Sequence, residues 1–240
     1  MMHKSMLNEA HKIAAAILQQ YFELISSPTT TDHLTINVLD IYNQVIYPEH
    51  EIELNMSHDL GFENNQKILG KTLPEEKIIL IDRVIAPPNK DPRFAFTLAH
   101  ETGHAFLHSN EQALISCLGN ESSNIIERQA DYFAEQLLMP DNLVRYHFKR
   151  LYPKSPVYYG PQEYAFGKRI YVHSLSEFCR KIAWRLTPLF SNVSCEALSY
   201  KLHDLGLITN KTNERMYSRY KKPTPIGEVL KNFFSNISPT

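Results

Sequence analysis

Arg93-Phe-Ala-Phe-Thr-Leu-Ala-His-Glu-Thr-Gly-His-Ala-Phe-Leu-His108 contains the five residues from which the rest of the chain is read, His100-Glu-Thr-Gly-His104. Asp91-Pro92 just before it makes a good helix start. An aspartate accepts free backbone N–H groups at the N-cap, and proline suits the first helical position. The helix is expected to run to about His108. Residues four apart on a helix are separated by about 40° of rotation and about 6 Å of rise, so His100 and His104 project from one face. Two imidazoles placed like that can share one Zn²⁺ at roughly 2.0–2.1 Å each. Glu101, about 100° further round, is poorly placed to join them as a ligand but can reach a water beside the ion.

With 11 histidines in 240 residues, this H-E-x-x-H pattern is expected by chance only about 0.04 times. A catalytic zinc needs a third protein ligand and leaves the fourth position to water. A downstream glycine and third histidine at metzincin offsets are absent, because Leu107 and Asn110 hold those positions. His108 stands about 12 Å of helical rise from His100, and a regular helix cannot wrap all three rings onto one ion. It reads as a structural residue. The next helix, Glu127-Arg-Gln-Ala-Asp-Tyr-Phe-Ala-Glu-Gln-Leu-Leu-Met-Pro140, offers Glu127 and Asp131 at i and i+4. An apolar stripe of Ala130, Phe133, Ala134, Leu137 and Leu138 runs beside them, and packing it on the motif helix would bring Glu127 to the metal. Asp131 could then accept an N–H from a liganding imidazole. The same spacing fits an ordinary charged face, and periodicity does not decide between the two.

Working outward, residues 5–26 carry apolar side chains at helical spacing, followed by the breaker run Ser26-Ser-Pro-Thr-Thr-Thr. A short helix is expected over Leu34–Ile46, stopping before Pro48. Glu51–Met56 alternates as a half-buried strand does, and Lys67–Leu73 with Lys77–Asp82 reads as a hairpin around Pro74-Glu-Glu. After the Glu127 helix come a short helix over Asp141–Leu151 and a long Pro/Gly-bearing loop over Tyr152–Tyr171. Ser174-Leu-Ser-Glu177 then opens a helix as a capping box, and Ser194 starts another that Gly206 ends. The fold class is α+β: mostly helical, with a small antiparallel sheet of about three strands packed on the motif and glutamate helices. The expected divisions are a core over 1–145, a helical extension over 146–209 and a loosely held tail over 210–240.

Composition narrows the function classes. A hydrophobic fraction of 43%, a charged fraction of 21% and a net charge of −1 describe a globular chain without the basic excess of a nucleic-acid binder. The one basic run, Lys211 to Lys222, reads as a solvated tail. Three cysteines without close pairing fit a reducing compartment. The apolar run Ile13–Leu18 is too short for a leader and lies inside an amphipathic pattern, and no stretch reaches the ~20 apolar residues of a membrane span. The expected location is cytoplasmic.

The motif segment 93–108 and the glutamate segment 127–140 together resemble the ImmA/IrrE family of zinc metallopeptidases. That family's pattern is R-F-T-L-A-H-E-L-G-H-x-x-L-H followed by E-x-x-A-[ND]-x-F-A-x-x-L-L-M-P. Here Thr102 stands where the family has leucine, and Ala95 is an extra residue after Arg93-Phe94. Val193–Ile208 also looks like the helix that often follows in this family. The resemblance implies a gluzincin-like core, a Zn²⁺ held by His100, His104 and Glu127, and Glu101 as general base. It further implies a protein substrate, a helix-turn-helix transcriptional repressor encoded nearby, with no direct contact to nucleic acid or membrane. Enzymes of this type add a donor for the tetrahedral intermediate. Tyr158, Tyr159, Tyr171 and His173, in or beside the long loop, are the candidates, and nothing in the sequence chooses among them. Two rival readings use other chemistry: a metal-containing regulator that binds or senses without proteolysis, and a DNA-binding regulator using 194–208. The intact Glu101 speaks against the first, and the near-neutral charge against the second.

Overall fold

The structure, a computed structural model, describes residues 2–25, 36–63, 65–89, 91, 93–108, 122–160, 162–163, 169–170, 174–190, 193–212 and 216. It is α+β and mostly helical, as the sequence pattern indicates. Helix α1 (Met2–Ile25) is followed by α2 (Val38–Ile41), a π-helical turn (Tyr42–Ile46) and α3 (Tyr47–His50). Pro48 does not stop this segment, contrary to expectation. It lies in α3, which follows directly on the π-helical turn, within a backbone that stays helical from Val38 to His50. The helix ends instead at Glu51, whose φ of 55° is left-handed.

A three-stranded sheet has the order β1 (Glu53–Asn55), β5 (Ile78–Ile81), β4 (Gly70–Leu73). The β4–β5 hairpin is antiparallel, as expected, but β1 runs parallel to β5. The tight turn over 74–77 fixes the hairpin, whereas the longer link from β1 to β4 lets β1 take the opposite edge in β5's direction. In that link, β2 (Phe62–Glu63) and β3 (Gln66–Lys67) pair as a small ribbon. Its base is tied by the buried Asp82, whose carboxylate accepts the Leu60 and Val84 N–H groups and pairs with Lys67. Cross-strand partners share a face, so Gly70 and Thr72, opposite Ile81 and Ile79, lie on the side where those isoleucines are fully buried.

Against that side packs α4 (Arg93–Leu107), started by Asp91, whose side chain accepts the Arg93 N–H. Helix α5 (Ser122–Leu138) packs on α4 through Ala130, Phe133, Ala134 and Leu137, all fully buried. Gly103 permits the close approach: a Cβ there would stand 3.1 Å from the Phe133 ring and 3.2 Å from the Ala130 Cα. On the far side of α5 lies α1, burying Ala10, Ala14, Ile17 and Tyr21.

Helix α6 (Asp141–Leu151) follows, then β6 (Val157–Tyr159), β7 (Gln162–Glu163) and β8 (Arg169–Ile170). The segment expected to be an irregular loop thus contains strands. β6 pairs in parallel with β9 (Ile208–Asn210), and β7 pairs antiparallel with β8. Between them come α7 (Leu175–Leu186), opened by the Ser174/Glu177 capping box, and α8 (Cys195–Asp204), capped by Ser194 and closed at Gly206 with φ 66°. Buried Lys201 of α8 reaches Asp141 at 2.6 Å, tying the extension to the start of α6. Residues 213–215 and 217–240, with most of the basic run, lie outside the described residues. No helix among the described residues is long and apolar enough to cross a membrane.

Candidate metal centre

Because α4 is regular through the motif, His100 and His104 stand one turn apart, and both rings turn toward α5. Their Nε2 atoms are 3.0 Å apart. The Glu127 carboxylate faces both, with Oε2 3.3 Å from His100 Nε2 and Oε1 3.5 Å from His104 Nε2. Three donors about 2.0–2.1 Å from one tetrahedral Zn²⁺ stand about 3.3 Å from each other. The observed separations bracket that value, so this donor set fits a shared divalent ion. Among the described residues these are the three side chains that converge in such a way.

The electrostatics also favour a cation. Burial alone disfavours a charged His100, yet the Asp131 and Glu127 carboxylates outweigh it and push its pKa up to about 10. The imidazoles of His100 and His104, which face its two oxygens, hold Glu127 far below the usual carboxylate range. A proton on His100 therefore occupies a place where the surrounding charges call for a positive centre. Asp131 Oδ1 lies 3.0 Å from His100 Nδ1 and accepts its N–H, leaving Nε2 free for an ion.

Glu101 leaves α4 about 100° round from His100 and points toward the sheet. It is 7% exposed, and burial raises its carboxyl pKa against the opposing effect of a Thr72 hydrogen bond. The Thr72 hydroxyl is 2.7 Å from Oε2 and 2.9 Å from the Glu101 carbonyl. Gly70 passes so close that a Cβ would come within 2.7 Å of Oε1. A cleft of about 430 Å³ connects these parts, lined by Gln66, Gly70, Thr97, His100, Glu101 and Asp131 among others. The metal-facing histidine and the buried carboxylate thus share one solvent-reached space.

His108, read from its spacing as a structural residue, is joined to the site by hydrogen-bonding partners on both ring nitrogens. Buried at 1% exposure, its Nδ1 is 2.9 Å from His104 Nδ1 and its Nε2 is 3.2 Å from Gln129 Oε1. Burial brings its pKa down to about 4, so it is neutral. Tyr158 and Tyr159, candidate donors from sequence, do not line the cleft. Tyr158 is exposed beneath the Lys211 ammonium, and Tyr159 is buried against Phe178. Tyr171 and His173 lie outside the described residues. Sequence reasoning missed Thr72, Gly70 and Gln129. Strand alternation put the first two on one face, but only the sheet's placement on α4 brings that face to Glu101.

Residues 64–175, which carry β3 to β8 and both site helices, match a family model described as Peptidase_M78, IrrE N-terminal-like domain. No curated protein matches the chain.

Proposed function

From a chain whose residues 64–175 belong to the IrrE N-terminal-like family of peptidases, we propose a zinc-dependent endopeptidase that hydrolyses a protein substrate, with Glu101 as its general base. The observation that carries this is the meeting of two imidazole nitrogens and one carboxylate within 3.0–3.5 Å of each other, beside a cleft that also holds a buried carboxylate. His100, His104 and Glu127 would hold the ion. When bound, Zn²⁺ supplies Lewis acidity, easing deprotonation of water near pH 7 and polarising a peptide carbonyl.

The remaining work falls to the chain. Asp131 fixes the ring of His100 through its Nδ1–H. Thr72 donates to Oε2 of Glu101 and so leaves Oε1 to take a proton from the attacking water. As the amide C–N bond breaks, Glu101 returns that proton to the departing amine nitrogen. A carboxyl whose pKa is raised by burial suits this shuttle, since a base works best with a pKa nearer the operating pH. A merely metal-holding protein has no use for a buried, oriented carboxylate at this position.

For the substrate, the ImmA/IrrE resemblance of the motif residues favours a helix-turn-helix repressor. The test is incubation of the zinc-loaded chain with the repressor encoded beside its gene, against the Glu101→Gln variant. Cleavage by the wild type alone supports the reading. Loss of repression that is equal with both proteins, without new fragments, would replace it with a partner-binding role.

A further inference from the structure

His104 has no carboxylate on its outer nitrogen, unlike His100, and something else must set which of its nitrogens carries the proton. We propose that His108, anchored through Gln129 to the backbone of α1, is a positioning residue for the metal centre: it accepts the Nδ1–H of His104 and so keeps His104 Nε2 bare and aimed at the ion. The inference rests on the metal-centre reading above.

Followed from its far end, the chain of contacts fixes each proton in turn. The Met6 carbonyl can only accept, and Gln129 Nε2 is 2.9 Å from it, so the amide nitrogen of Gln129 must face α1. That turns Oε1, which also can only accept, toward His108 Nε2 at 3.2 Å. His108 must therefore be the donor at Nε2. His108 is 1% exposed and its two ring nitrogens meet an amide oxygen and another imidazole, with no carboxylate among these partners; as a neutral imidazole it has one N–H, so its Nδ1 carries a lone pair. His104 Nδ1, 2.9 Å away, must then be protonated, and its Nε2 is left bare. That nitrogen is the one 3.0 Å from His100 Nε2 and 3.5 Å from Glu127. A backbone oxygen of the first helix thus decides the tautomer of a metal ligand nearly a hundred residues later. The opposite proton order would place an N–H of His104 where the ion must sit.

The helix spacing that denies His108 a place on the ion is what allows this role. His104 and His108 are i and i+4, with ring centroids 4.9 Å apart, the same relation that brings His100 and His104 together. The second step of the repeat supplies a partner for the ligand in place of a ligand.

The test uses the full chain with His108→Phe, Gln129→Leu, Gln129→Glu and, as control, His104→Ala. Zinc affinity is read by chelator competition, the visible spectrum of the cobalt form reports ligand geometry, and ¹⁵N imidazole resonances of the zinc-loaded wild type report tautomers. Expected are about 10–100-fold weaker zinc binding and an altered cobalt spectrum for His108→Phe, the scale of losing a partner of a liganding histidine. Gln129→Leu should weaken binding in the same direction, and Gln129→Glu, which keeps an acceptor toward His108 but has no N–H for the Met6 carbonyl, should recover no more than part of it. Wild-type zinc affinity and cobalt spectrum in His108→Phe would overturn the proposal. So would ¹⁵N resonances showing His104 Nδ1 unprotonated, a measurement that decides even if His108→Phe does not fold. Should His104→Ala keep its zinc, the metal-centre reading itself fails. If that control loses zinc while His108→Phe does not, only the positioning role fails.

Discussion

Glu101 and Asp131 do different work for one centre, and substitutions that conserve their shapes separate the two. The Glu101 carboxylate is hydrogen-bonded to Thr72 and is not one of the three converging donors. Glu101→Gln should therefore keep zinc, by metal analysis, while cleavage falls by about 10²–10⁴-fold, the usual range for a lost general base. Asp131→Asn acts on the metal. The amide can still accept from His100 Nδ1 but loses the charge that raises the ring's basicity, so zinc affinity should fall by about 10–100-fold in chelator competition. Unchanged affinity there would mean the 3.0 Å contact is incidental. At this scale the sequence is most legible where partners share a helix. The pair His100/His104 follows from i, i+4 spacing, whereas the same spacing of Glu127 and Asp131 fits a plain charged face equally well and is decided by the packing of α5 on α4. Thr72 does not, because its contact with Glu101 spans 29 residues and depends on how a strand face lies across a helix.

Two glycines set the distances between elements, each at a contact that a methyl group would fill. Gly103 lets α4 and α5 close until Glu127 reaches the histidines, and Gly70 lets β4 approach α4 until Thr72 reaches Glu101. Gly70→Ala is the sharper probe. Its Cβ would meet Thr97 Cγ2 at 2.6 Å and Glu101 Oε1 at 2.7 Å, closer than real Cβ atoms come. The strand or the carboxylate must shift, and the zinc donors, which the added methyl does not meet, need not. The expected outcome is a fall in kcat with zinc content unchanged; a variant that loses zinc in parallel would show that β4 supports the whole centre. Element existence was legible from caps and periodicity, as with Ser174/Glu177 and Ser194. Strand direction was not. β1 and β5 carry the same alternation whether they run parallel or antiparallel, and the choice is made by the link between β1 and β4. β6 was hidden because its partner β9 comes some fifty residues later, and a three-residue strand carries little pattern of its own.

Across the whole molecule, the parts outside residues 64–175 are fastened to the helices within that stretch by polar contacts as well as by apolar packing. Gln129 joins α5 to the Met6 carbonyl of α1, and Lys201 joins α8 to Asp141 at the head of α6. Neither was readable from sequence, since each joins segments whose meeting follows from the tertiary arrangement. The second tie gives a prediction with a definite pH sign. Burial pushes the Asp141 carboxyl up, but Lys201 outweighs it and leaves the group below its ordinary value. A carboxyl lowered on folding contributes stability that is present above its unfolded pKa of about 3.9 and is lost as pH falls through the folded value. Lys201→Met keeps the buried stem and removes the charge, leaving Asp141 to water that reaches a side chain 36% exposed. At pH 7 urea unfolding should show a loss of about 1–3 kcal/mol, below the full figure for a deeply buried pair because Asp141 remains partly hydrated. As pH is lowered through the folded-state titration of Asp141, that difference should shrink, since the carboxyl is then protonated in both proteins. A difference that stays constant from pH 7 into that acid range would assign the effect to lost packing around α8, and the link between the extension and α6 would not be electrostatic.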